Sequence, residues 1–92
     1  MCDLEKALAC FDLCIELNPN FSFHYINKAQ VLEYMHKLDD AIEVLNKAIK
    51  LNPYNPDAFL QKGNLEKIRY FYTFLFLIFI LIRFIVIQAK KA

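Results

Sequence analysis

The chain has 92 residues, enough for one small domain. Its formal net charge of +1 gives no field strong enough to argue for nucleic acid or an acidic substrate, and one glycine, Gly63, cannot build the multi-glycine turns that cradle phosphate. Three cysteines, an odd number behind an N-terminus with no basic stretch leading into an apolar one, read as reduced cytosolic thiols rather than a disulfide framework.

In chain order, the first predicted element is a helix carrying Ala7, Leu8, Phe11 and Cys14, closed by Pro19, which cannot donate the next amide bond. Residues 22–55 then show apolar positions at helical spacing in two bouts. Tyr25, Ala29 and Leu32 stand at i, i+4 and i+7, and after the polar break His36-Lys37 come Leu38, Ile42, Leu45 and Ile49, with the small Ala41 and Ala48 beside them. That is the pattern of two antiparallel helices and a turn. Asp39, Asp40 and Glu43 open the second of these helices and Lys47 and Lys50 end it, each sign matching the helix dipole. Pro53 stops that helix, and Asn55-Pro56-Asp57 opens the next, with Asn55 as the cap and Pro56 in the first helical position.

Shifted by 34 residues, the sequence overlays itself. Leu4 meets Leu38, Ala7 meets Ala41, Ile15 meets Ile49, Leu17-Asn18-Pro19 meets Leu51-Asn52-Pro53, Tyr25 meets Phe59, and Ala29 meets Gly63. A fixed period of this size predicts a stacked array of helical units. The central unit, with Tyr25, Ala29, Leu32, Ala41, Leu45, Ala48 and Pro53 in order, resembles the tetratricopeptide repeat. Ala7, Phe11, Cys14 and Pro19 fill the second-helix positions of a partial repeat before it, and Phe59 and Gly63 open a partial repeat after it. The resemblance runs from about Asp3 to Leu65. It departs at Glu66, where an apolar residue is expected, and at His36, which stands in place of a turn glycine. It implies an all-α fold of antiparallel helical hairpins stacked as a short right-handed superhelix, acting as a protein-interaction module.

The expected organisation is a repeat region over residues 1–69, a hydrophobic helix over 70–87 and a short basic tail over 88–92. Between Tyr70 and Ile87 only Thr73 and Arg83 interrupt the apolar run. As a helix these eighteen residues would rise about 27 Å, close to a bilayer's hydrocarbon thickness. Tyr70 and Tyr72 suit one interface and Lys90 and Lys91 the other. Basic residues on both flanks leave the topology open. The preferred reading is a membrane anchor holding the repeats in the cytosol. Two others stand beside it: a truncated or misread coding region, since Phe, Ile, Leu, Tyr and Lys have A/T-rich codons, and a helix lying on the repeats, which an all-round apolar surface fits poorly. Further alternatives make the tail the working part, or the chain a truncated fragment of a larger tetratricopeptide repeat protein without independent function. Transcript sequencing across the codons for Leu65 to Tyr70 tests the misread-region alternative directly.

Chemistry finds little support. Cys10 and Cys14 lie at i, i+4, but with His24 and His36 they lack the usual spacing of a metal site, and no residue pattern supplies an orienting group or oxyanion hole for a thiol nucleophile. The expectation is no enzyme, no metal, no cofactor, no small-molecule substrate and no nucleic acid. By resemblance, first helices line a peptide-binding groove. That makes Asn27 the leading candidate contact, followed by Gln61 at the same repeat position and by Lys28 and Tyr34. Asp57 and Gln61 stand where the chaperone-binding members of the family need basic residues, so a carboxylate clamp is not expected.

Overall fold

A computed structural model describes residues 3–91 and contains, among them, four helices and no strand: α1 (Leu4–Leu17), α2 (Ser22–Tyr34), α3 (Leu38–Leu51) and α4 (Pro56–Lys91). Cys2 and Ala92, the latter the last residue of the expected basic tail, lie outside the described residues.

Local chemistry sets the helix ends. The Asp3 carboxylate caps α1 by accepting from the Lys6 backbone N–H at 3.1 Å. Asn55 does the same for α4, its Oδ1 accepting from the Asp57 N–H at 3.0 Å. The α1 and α3 helices stop two residues before Pro19 and Pro53. Between α2 and α3 the Lys37 N–H reaches back to the Leu32 carbonyl and the His36 N–H to that of Glu33, both at 2.9 Å. This is a Schellman closure, and it puts His36 at the left-handed position, with φ 61°.

That conformation crowds the Cβ of any L-residue by about 1–2 kcal/mol, while glycine loses about 0.4–1 kcal/mol through its freer unfolded chain. His36→Gly should therefore raise stability by about 0.5–1 kcal/mol, a few degrees in a thermal melt followed by circular dichroism in mild detergent. An unchanged or lower melting temperature would contradict this origin for the strain.

The helices stack in sequence: α2 packs on α1 and α3, and α3 packs on α4. The core gathers Tyr25, Ile26, Ala29 and Leu32 of α2, Ala41, Ile42, Leu45 and Ala48 of α3, and Ala58 and Leu65 of α4. The three core alanines of α2 and α3 are fully buried, as close helix approach requires, and Leu45 and Leu65 are the largest side chains with no exposure. The Tyr25 ring is buried and its hydroxyl donates to the Pro19 carbonyl at 2.9 Å, tying α2 to the turn before it. Leu8 and Ile15 of α1 lie against this core, but α1 has no fully enclosed residue; Ala7, Phe11 and Cys14 are half-buried.

The fourth helix departs from its repeat counterpart. Where α2 turns at His36, α4 carries Tyr70 and continues unbroken to Lys91, so the chain leaves the stack as a single rod and the molecule measures 64 × 31 × 19 Å.

Candidate partner-binding groove

Asn27 and Tyr34 stand seven residues apart on α2, two turns along one stripe, and both are exposed. Gln61 and Ile68 repeat the spacing on α4, with Gln61 half-buried. The lower ends of these stripes border a groove of about 700 Å³ lined by Glu33, Tyr34, His36, Leu38, Ile68 and Tyr72. Asn27 and Gln61 lie two turns further up, free of side-chain hydrogen bonds to the described residues, and offer amide donors and acceptors. Such a surface suits an extended chain, whose backbone needs alternating donors and acceptors.

Lys28 does not join them. Although adjacent to Asn27 in sequence, it is turned about 100° around the helix. Its Nζ sits 2.7 Å from an Asp12 carboxylate oxygen on α1. It lines a different cleft of about 430 Å³, between α1, α2 and α3, together with Ile15, Tyr25, Val44, Lys47 and Lys50. A neighbour that sequence spacing does not reveal has claimed it.

At the lower edge of the groove, Arg69 of α4 donates to Asp39 of α3 at 3.2 Å and lies over the Tyr70 ring, 5.8 Å from its centroid. The hydrogen bond to Asp39 is the main reason that the guanidinium is held still more firmly protonated than usual. Both partners are largely solvated, so the pair chiefly fixes geometry, joining the start of α3 to α4. Among the described residues no group of three or more His, Cys, Asp or Glu side chains is placed to hold a metal ion, and Cys10 and Cys14 are free thiols.

The expected packing positions divide by location. Tyr25, Ala29, Leu32, Ala41, Leu45 and Ala48 are buried, and Pro19 and Pro53 occupy exposed turns. Phe59 and Gly63 stand apart from this set. Phe59 is 49% exposed, and a Cβ built on Gly63 would meet nothing within 4 Å. Their counterparts Tyr25 and Ala29 face α3 within the hairpin; α4 runs straight on, so no following helix of the described chain covers this face. The helix is held instead by Ala58 and Leu65, one step away around the axis. Neither was singled out from sequence, nor were the buried Ile26 and Val31 of α2. The signal was present in the 34-residue shift, which pairs Val31 with Leu65.

Comparison with known proteins agrees with the helical stack. Residues 10–43 match the description "Tetratricopeptide repeat" and residues 35–66 match "TPR repeat". The chain belongs to the tetratricopeptide repeat family. It is similar to a STIP1 homolog of Dictyostelium discoideum, 36% identical over 62 residues covering 67% of this chain and 11% of that protein. It is also similar to a TPR repeat-containing protein of Methanocaldococcus jannaschii, 39% identical over 72 residues covering 71% of this chain and 12% of the relative. The chain thus spans about an eighth or less of these curated relatives. Its TPR repeats mark the chain as a protein-interaction module.

Proposed function

We propose that this TPR chain binds an extended peptide or partner segment along the α2 and α4 stripes, with Asn27 and Gln61 as backbone contacts. Lys28 is left out of the contact set because Asp12 holds it. The observation that carries the reading is the alignment of exposed Asn27 and half-buried Gln61 at one repeat position on the two first helices. The module works by presenting a surface, with no bond made or broken.

Peptides selected by display against the full chain supply the probe. Losing one amide hydrogen bond is worth about 0.5–1.5 kcal/mol, so Asn27→Ala should weaken the selected peptides roughly two- to tenfold while the helical circular dichroism stays unchanged. Unaltered affinity would remove Asn27 from the contact surface.

The apolar part of α4 is read as the module's membrane anchor. The supporting observations are a helix unbroken from Pro56 to Lys91 and an eighteen-residue apolar window within it, none of whose residues is buried in the fold. In this reading residues 1–69 are the binding region, 70–87 the span and 88–92 a basic flank. The free thiols of Cys10 and Cys14 suit a reducing compartment such as the cytosol for the repeats.

A further inference from the structure

We propose that the corner between α2 and α3, formed by Tyr34, His36, Lys37 and Leu38, rests on the headgroup layer of the bilayer that α4 enters, so that the repeats stand at a fixed angle to the membrane. The inference rests on the anchor reading of α4 and adds to it a second, independent contact.

The basis is where the stack stops and α4 does not. The α2 helix ends at Tyr34 and turns, whereas α4 carries straight on at the equivalent level. Two features fix that level. Arg69 meets Asp39 at 3.2 Å, and the groove of about 700 Å³ has Tyr34, His36 and Leu38 on one wall and Ile68 and Tyr72 on the other. The corner is therefore level with residues 68–72, and the apolar stretch of α4 begins within that same turn, at Tyr70. A bilayer that receives α4 from Tyr70 onward reaches the corner as well.

The chemistry of the corner suits that depth. Tyr34, Tyr70 and Tyr72 are 61%, 66% and 60% exposed, and tyrosine is the residue whose apolar ring and polar hydroxyl match the interface. Charge argues for a zwitterionic surface over an anionic one. Asp39 is already paired with Arg69, and Glu33 and Asp40 lie close in sequence to Lys37, which leaves no strong basic patch at the corner. The opposite edge of the stack provides a control. Tyr54, in the turn before α4, is 91% exposed and stands about 20 Å up the helix from Tyr70.

The chain contains no tryptophan, so Tyr34→Trp and Tyr54→Trp each introduce a single tryptophan, excited at wavelengths where the remaining tyrosines do not absorb. Each full-length variant is reconstituted into phosphatidylcholine vesicles and recovered by flotation, with and without a nitroxide attached to the lipid headgroup. The expected result is blue-shifted, nitroxide-quenched emission for Tyr34→Trp and unquenched emission for Tyr54→Trp. Flotation with no quenching at position 34, or with equal quenching at both positions, overturns the corner contact and leaves the anchor standing. Failure of the full chain to float removes the anchor reading and the corner contact together.

Discussion

Leu45→Ala is expected to abolish the cooperative thermal transition of the repeat stack. Leu45 has no exposure and lies in the cluster that joins α2, α3 and α4. Truncating a buried leucine costs about 2–5 kcal/mol, because the lost transfer energy is compounded by a cavity that close-packed neighbours cannot fill. The whole stability of a domain this small is about 5 kcal/mol, at the low end of the usual range, so one substitution is enough to unfold it. Circular dichroism melts of the full chain in detergent, with the signal of the apolar helix as a constant background, would show it; a transition displaced by only a degree or two would mean that the core is not where the structure places it. A paired comparison sharpens the test. Tyr25→Ala and Phe59→Ala alter the same repeat position, but only Tyr25 is buried and hydrogen-bonded. Tyr25→Ala should cost about 3–5 kcal/mol and Phe59→Ala well under half of that.

Ending the chain at Arg69 should convert a carbonate-resistant membrane protein into a soluble one. Of the eighteen residues from Tyr70 to Ile87, fourteen are Leu, Ile, Phe or Val, together worth about −4 to −8 kcal/mol on insertion scales. Against this stands Arg83, which costs at most about 3.5 kcal/mol at the centre of a span and less here, because it lies near the end bearing Lys90 and Lys91 and can extend toward them. The balance favours the bilayer. Outside a bilayer the same helix leaves side chains such as Phe74, Phe76 and Ile82 more than half exposed to water. The full chain should therefore float with membranes on a density gradient after carbonate washing, and the truncated chain should stay in the supernatant. Flotation separates membrane insertion from aggregation, which pellets without floating. Extraction of the full chain by carbonate would sink the anchor reading.

Much of this fold is written locally. The turn at His36, the cap at Asn55 and the stops before Pro19 and Pro53 each depend on a few neighbouring residues, so spacing and residue type were enough to locate the first three helices and the start of the fourth. The 34-residue period also identifies the hairpin within which Tyr25, Ala29 and Leu32 meet Ala41, Leu45 and Ala48, because both halves of that contact lie in one unit. Of the candidate contact residues, Asn27 and Tyr34 are exposed, but Lys28, next to Asn27, belongs to another surface.

The sequence by itself thus determined the first three helices, their repeat, the start of another helix at Pro56 and the apolar run over 70–87; that the last two form one helix, Pro56–Lys91, was decided by the structure. Only the tertiary structure decided what each helix face meets. Helical spacing defines a face, yet its environment depends on residues far along the chain: Asp12 pairs with Lys28, and Ala58 and Leu65 hold α4. Phe59 and Gly63 lie open because the chain does not turn at Tyr70 as it does at His36.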